Sequence, residues 1–270
     1  MTFLLIALAF GLVLGSFGNS VVYRLPRRMR SQWRQAAQAE LGLPVDAEPP
    51  QLTARRSHCP ACAKQIAWYD NIPVVSWLVL RGRCRHCGSR ISPRYLALEL
   101  TGGVLGVASV AWFGFTWQAA AAGVAGLLLL WSAAIDAEHQ LLPDALMAPL
   151  LALGLLSSTQ DWFSTPRMAI LGAALGWAVA AFPAWVFHRV RGVHGLGGGD
   201  MFLVAALGAF LGPVGVLYTQ LGAGVLATLA LCLKSIGKGR AVWTEAAAFG
   251  PWLCLAGVTV FVLQQARLLG

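Results

Sequence analysis

Long apolar stretches dominate this sequence and decide what kind of structure it can form. Seven of them are long enough to cross a hydrocarbon core of about 30 Å as helices, and they lie at 2–23, 95–115, 117–135, 144–160, 167–188, 214–233 and 243–266. An eighth, shorter apolar run covers about 200–211. Only 11% of the 270 residues are charged, whereas soluble domains carry about 25%. We therefore predict an all-α polytopic membrane protein with about eight transmembrane helices.

The 20 Lys and Arg residues are distributed asymmetrically around these stretches. Cationic residues collect in short loops on the cytoplasmic side of membrane proteins. With the N-terminus outside and eight crossings, 18 of the 20 lie inside, and only Arg167 and Arg267 lie outside. Because the cations follow the loops in this way, the net charge of +9 indicates membrane topology and does not indicate nucleic-acid binding.

The first apolar stretch resembles a secretion signal but lacks its charge pattern. A signal peptide carries positive charge before its apolar segment, whereas here Arg24, Arg27 and Arg28 follow it. We expect a retained transmembrane helix at 1–23, a cytoplasmic insert at 24–94 and a membrane domain at 95–270.

Four cysteines stand out in the insert, which is small enough to need a metal or disulfide for stability. Cys59 and Cys62 form one C-x2-C pair, and Cys84 and Cys87 form a second pair after 21 intervening residues. Thiolates at this spacing can converge on tetrahedral zinc, with no position left for water, so we predict a structural ion. An iron centre or a redox dithiol are the alternatives, and a reducing cytoplasm disfavours disulfides.

Other residues near the cysteines and in the spans have plainer interpretations. His58 and His86 adjoin the thiolates and are alternative ligands, although four cysteines suffice. Cys232 and Cys254 lie inside apolar spans and are expected to be small buried hydrophobic residues. The alternation in "WYDNIPVVSWLVLRGR" is compatible with short strands.

The membrane half contains few reactive groups besides carboxylates. It has no H-E-x-x-H helix, no G-x-S-x-G elbow and no G-x-G-x-x-G after a strand. The acidic residues are Glu99, Asp136, Glu138, Asp144, Asp161, Asp200 and Glu245.

Most of these acids need no catalytic explanation. Asp144 and Glu245 open apolar runs, where a first-turn carboxylate complements the helix dipole. Asp161 is expected in a solvated loop. Glu99 lies one turn into the second span, and either pairing with Arg94 or lining the site would explain it.

Asp136 is harder to explain as a structural residue, whereas Asp200 has a structural alternative. Asp136 ends the third span, at a helix C-terminus where the dipole disfavours negative charge. Asp200 follows three glycines at the head of an apolar run, where it could be an N-cap. On the predicted topology both lie at the cytoplasmic face. Two acids that meet in a partly dry site share one proton, so they can activate water and protonate a leaving amine.

The sequence resembles the bifunctional type IV prepilin peptidases in seven motifs that follow the same order. They are "GSFGNSVVYRLP" at 15–26, "CPAC" at 59–62, "WYDNIPVVSWL" at 68–78, "LRGRCRHCGSRISPRY" at 80–95, "IDAEHQLLPD" at 135–144, "GLGGGD" at 195–200 and "FGPWL" at 249–253. The resemblance implies an eight-span enzyme of the bacterial inner membrane. Such an enzyme cuts the basic leader from prepilins and pseudopilins at the cytoplasmic face and methylates the new N-terminal amine with S-adenosylmethionine.

Position by position, the resemblance makes Asp136 and Asp200 the catalytic aspartates and the four cysteines the zinc ligands of the cytoplasmic, methyltransferase domain. Two positions depart from the family pattern. Phe202 stands where the family usually has a lysine, and His194 replaces an acidic residue before the glycines. The alternatives are a peptidase without methyltransferase activity, a non-catalytic scaffold or transporter subunit in which the acids carry ions, and a membrane-tethered zinc-ribbon module.

Overall fold

The structure is a computed structural model that describes residues 1–48, 56–192, 197–238 and 248–267. Its described part is helical and contains no β-strand. The helices are α1 (Thr2–Glu40), a 3₁₀ helix (Trp68–Asn71), α2 (Val75–Val79), α3 (Pro93–Phe113), α4 (Trp117–His139), α5 (Asp144–Ser158), α6 (Pro166–Arg191), α7 (Gly198–Lys238) and α8 (Gly250–Gln265). Two residues singled out in the sequence, His194 and Glu245, lie outside the described residues.

The described residues form eight apolar helical segments, as the sequence predicts. Five helices of the described chain are long and apolar enough to cross a membrane, namely α1, α3, α4, α6 and α7. The shorter apolar helices are α5 and α8. Gly212 (φ 69°, ψ −178°) breaks α7 just before Pro213, and its positive φ cannot belong to a right-handed helix. The break separates the expected short run from the span that follows it.

Local sequence sets where two of the long helices begin. Ser92 precedes Pro93, and its hydroxyl accepts the backbone N–H of Arg94 at 3.3 Å. Thr165 precedes Pro166 in the same way, and its hydroxyl accepts the N–H of Met168 at 3.4 Å. A hydroxyl N-cap followed by proline at the first helical position is a favourable helix start.

The chain divides into two compact units, Met1–Leu127 and Leu128–Gly270. In the first unit, α1 packs closely on α3 through glycines of both helices. A Cβ atom on Gly15 would lie 2.6 Å from the Leu98 carbonyl oxygen, and one on Gly102 would lie 2.6 Å from the Gly11 carbonyl oxygen. Small residues at such positions let two membrane helices approach backbone to backbone.

The second unit uses the same device between α6 and the first half of α7. A Cβ on Gly176 would lie 2.5 Å from the Val204 carbonyl oxygen, and one on Gly172 would overlap the Gly208 carbonyl. Leu203, Val204 and the residues after them are almost completely buried. The start of α7, which carries Asp200, therefore sits on a tightly packed helix.

The residues after the first cysteine pair form helical turns and not the short strands that the sequence suggested. Trp68–Asn71 forms a 3₁₀ helix and Val75–Val79 a short α-helix. The only β-type pairings in the described chain are isolated bridges at the cysteine turns, His58 with Gln65 and Arg83 with Arg90. Most aromatic and branched side chains of this segment are exposed, and alternation over so few residues does not distinguish a strand from a helical turn.

Candidate active site and metal centre

Asp136 is buried near the C-terminal end of α4, with 6% of its surface exposed. Its Oδ2 accepts the backbone N–H of Gly250 at 2.9 Å. Gly250 is the first residue of α8, whose unpaired N–H groups form the positive end of the helix dipole. The carboxylate that cannot cap its own helix therefore meets the N-terminus of another.

Gly250 allows this contact because it has no side chain. A Cβ at this position would lie 2.7 Å from Asp136 Oδ2 and 3.1 Å from its Cγ. Gly250 lies in the motif "FGPWL" at 249–253, but the sequence resemblance assigns it no role. A glycine beside Pro251 at a helix start was the available signal.

Asp200 lies in the first turn of α7 and is partly buried. Its backbone N–H donates to the Gly197 carbonyl at 3.2 Å, and its carboxylate accepts a bond from the Gly197 backbone. The preceding glycine, Gly199, packs against the loop after α4, where a Cβ would lie 2.6 Å from Leu142 Cβ. The glycines thus let the head of α7 approach the segment that follows Asp136.

The structure brings the two predicted aspartates together in the second unit. The charges of Asp136 and Asp200 are close enough to interact, and both act on the thiol of Cys254. Cys254 lies one turn after Gly250 in α8 and is buried, with 5% exposed. The ends of α4, α7 and α8 therefore meet at one acidic site.

Asp144 and Asp161, two further acids of the second unit, fit their structural interpretations. Asp144 is exposed in the first turn of α5, and Asp161 is exposed in the loop before α6. The expectation for Cys232 was wrong, because its side chain is exposed on the outside of α7. That surface is apolar, so a small cysteine is tolerated there. Phe202 is also exposed, with 39% of its surface accessible.

The four insert cysteines form a compact cluster in the first unit. Their sulfur atoms all lie within 4.8 Å of one another, and Cys59 Sγ is 3.9 Å from Cys87 Sγ. Tetrahedral zinc with bonds of about 2.3 Å separates its sulfur ligands by about 3.8 Å. The cluster can hold a metal ion. Neither His58 nor His86 belongs to it.

The two cysteine pairs sit on turns with the same hydrogen-bond pattern. The Cys59 N–H donates to the Lys64 carbonyl and the Ala63 N–H donates to the Cys59 carbonyl, both at 2.9 Å. The second turn repeats both bonds, with Cys84, Gly88 and Ser89 in the equivalent places. The fourth residue after the first cysteine has positive φ in both turns, 56° at Ala63 and 70° at Gly88.

The thiols of the cluster differ in pKa, so they differ in how readily they ionise. Burial raises the pKa of Cys59, but hydrogen bonds from the backbone of Cys62 and Ala61 and from Ser89 and Cys84 lower it to about 6 overall. A backbone bond from Lys64 lowers the pKa of Cys62, yet burial and the neighbouring sulfurs raise it to about 11. Four neighbouring thiolates need a cation, which a bound metal ion supplies.

Glu99 belongs to the first unit, and its partners differ from Arg94, the pairing that the sequence offered as one of two alternatives. It is buried, with 8% exposed, and its Oε2 accepts the Val74 N–H at 2.7 Å. Ser16 donates a further bond to it. These contacts replace the pairing with Arg94 that the sequence allowed. Glu99 lines a cavity of about 500 Å³ that the sequence gave no means of finding.

Comparison with known proteins finds one family match in each half of the chain. Residues 9–113 match the bacterial peptidase A24 N-terminal domain, and residues 123–232 match the type IV leader peptidase family. No solved structure matches the chain.

Several similar proteins carry the name prepilin leader peptidase/N-methyltransferase. One from Xanthomonas campestris pv. campestris is 40% identical over 94% of this chain and 89% of its own length. One from Pseudomonas aeruginosa is 40% identical over 95% and 89%, and one from Neisseria gonorrhoeae is 35% identical over 96% and 90%. With both domain types matched and relatives aligned over nearly its whole length, this chain belongs to the type IV leader peptidase family.

Proposed function

We propose that this chain removes the basic leader from type IV prepilins or pseudopilins and that Asp136 and Asp200 catalyse the hydrolysis. The observation that carries the proposal is the buried carboxylate of Asp136, fixed by the Gly250 N–H at 2.9 Å and electrostatically coupled to Asp200. A buried acid is costly unless a site uses it.

The two aspartates work as one proton-sharing unit. The pair takes a proton from water while the water oxygen bonds to the scissile carbonyl carbon. It then gives a proton to the departing amine nitrogen as the carbon–nitrogen bond breaks. Because the charges are coupled, the proton belongs to the pair and not to one named residue.

The charge pattern of the loops supports a cytoplasmic position for this site. With the N-terminus in the periplasm, the end of α4 and the head of α7 both face the cytoplasm, together with 18 of the 20 cationic residues. A prepilin holds an apolar stem in the bilayer and a basic leader in the cytoplasm. Its scissile bond then lies at the depth of the two acids.

The second activity is methylation of the new N-terminal amine. S-adenosylmethionine supplies an electrophilic methyl group, which moves from sulfur to nitrogen with release of one proton and S-adenosylhomocysteine. Zinc on Cys59, Cys62, Cys84 and Cys87 is structural in this scheme, because four sulfurs leave no open coordination position.

Mass spectrometry of a prepilin treated with the purified protein in detergent tests the proposal. We expect loss of the leader, and a further gain of one methyl group when S-adenosylmethionine is present. Asp136→Asn and Asp200→Asn should abolish cleavage. Asp144→Asn is the matched control, because Asp144 is exposed at a helix start, and it should cleave nearly as fast as wild type.

Full cleavage activity in either Asp136→Asn or Asp200→Asn would disprove the catalytic assignment. An unchanged substrate mass with the wild-type protein would instead favour a scaffold or transporter subunit. A leader that is lost without any methyl gain identifies a peptidase without the second activity.

A further inference from the structure

The cavity in the first unit has the size of a small-molecule site. Its volume is about 500 Å³, within the range of about 300–1,000 Å³ that is usual for such sites. Helices α1 and α3 form one part of its wall, and the segments that carry the cysteines form the rest. All of these residues belong to the unit Met1–Leu127, so the cavity is complete within it.

Asn19 of α1 presents a buried oxygen to this cavity that lacks a partner. The side chain is 5% exposed, and its Nδ2 donates to the Tyr95 carbonyl at 3.1 Å. No donor reaches its Oδ1 within the described part of the chain. An unsatisfied buried acceptor costs about 1–3 kcal/mol. A hydrogen-bond donor on a ligand would satisfy it.

Glu99 of α3 adds a buried charge to the same wall. Its carboxylate accepts bonds from the Val74 backbone and Ser16, but it has no ion pair with any described Lys or Arg side chain. Buried carboxylates normally need a cationic partner. Glu99 and Asn19 together therefore favour a ligand with a cationic hydrogen-bond donor.

Trp77 supplies a complementary group elsewhere in the lining. Its Nε1–H is buried and has no acceptor among the described residues. Tyr23 and Tyr95 also line the cavity. An indole donor with neighbouring aromatic rings suits a flat heterocycle that carries acceptor nitrogens.

Building on the proposed function, we propose that this cavity binds the methyl donor S-adenosylmethionine. Glu99 and Asn19 accept hydrogen bonds from the α-ammonium group of its methionine half, and Trp77 donates to its adenine ring. The ligand joins an ammonium group to a nucleoside, which matches the two kinds of unsatisfied group in the lining.

Isothermal titration of the purified full-length protein with two ligands tests this assignment without relying on activity. S-adenosylmethionine carries the ammonium group, whereas 5′-methylthioadenosine keeps the adenosine and lacks the amino acid. We expect Glu99→Gln to weaken S-adenosylmethionine binding at least tenfold and to leave methylthioadenosine binding unchanged. Trp77→Phe should weaken both.

Glu40→Gln is the matched control, since Glu40 is exposed at the end of α1 and the substitution makes the same charge change. It should bind both ligands as wild type does. If Glu99→Gln lowers the affinity for both ligands equally, or lowers neither affinity, the assignment of the ammonium site is overturned.

This outcome is separable from failure of the proposed function. A wild-type protein that cleaves and methylates, together with a Glu99→Gln variant of unchanged affinity, would refute only the binding site. A wild-type protein that binds S-adenosylmethionine but transfers no methyl group would refute only the methylation step.

Discussion

Replacing Gly250 with alanine should disable the peptidase without touching either aspartate. The new Cβ would lie 2.7 Å from Asp136 Oδ2, whereas ordinary van der Waals contact begins at 3.4 Å. The atoms must therefore separate by about 0.7 Å, so the hydrogen bond would lengthen from 2.9 Å to roughly 3.6 Å and be lost. Helix α8 is packed and proline follows Gly250. Neither the start of the helix nor the buried Asp136 carboxylate can therefore move away without cost.

The size of the effect follows from the bond that is lost. A hydrogen bond to a charged group contributes about 1.5–3 kcal/mol, which corresponds to roughly a ten- to 150-fold change. We expect Gly250→Ala to lower kcat for prepilin cleavage by this factor. The loss should be in kcat more than in KM, because the substitution disturbs the orientation of a reacting carboxylate.

The assay is initial-rate cleavage of a prepilin in detergent, followed by mass. Gly224→Ala is the control, because a Cβ at Gly224 meets no atom within 4 Å, and it should cleave at the wild-type rate. Methylation of a pilin supplied already cleaved shows in the same sample that the first unit is intact. Wild-type cleavage by Gly250→Ala would refute the argument that Asp136 depends on this contact.

Three further predictions concern the first unit. Ala63→Gly should raise the melting temperature and Gly88→Ala should lower it, each by the equivalent of about 1 kcal/mol, because both residues have positive φ, which favours glycine. A Cβ at Gly88 meets nothing within 4 Å, so backbone strain alone sets the effect there. Shifts of the same sign in scanning calorimetry would contradict this. Cys62→Ser should remove most of the bound metal, measured by elemental analysis, whereas Cys232→Ser, outside the cluster, should keep it. The hydrogen bonds from Arg85 lower the pKa of Asp70, so the ion pair stabilises the fold above the ordinary aspartate pKa of about 4 and is lost as the pH falls through the lowered value. The melting temperature of Asp70→Asn should therefore lie below that of wild type at pH 7 and approach it in acid; a constant difference would refute the role of this charge.

Much of the fold was predictable because it depends on local patterns. Apolar length indicated the membrane helices, and the short run at about 200–211 counted as a crossing because dropping it would scatter the cationic residues over both sides. The suggestion of short strands at 68–83 was wrong, since alternation over a few residues does not distinguish a strand from a helical turn.

The candidate sites also combine features that the sequence indicates with features that only the tertiary structure shows. By itself the sequence determined the membrane class and the grouping of the cysteines in two C-x2-C pairs, and it marked Asp136 as the acid that capping cannot explain. Only the tertiary structure decided that Gly250, 114 positions away, holds Asp136 in place. It also decided that Asn19 and Glu99, 80 positions apart, face one cavity. Sequence spacing predicts which residues lie close together on one helix or turn, whereas contacts between distant segments depend on how the helices pack.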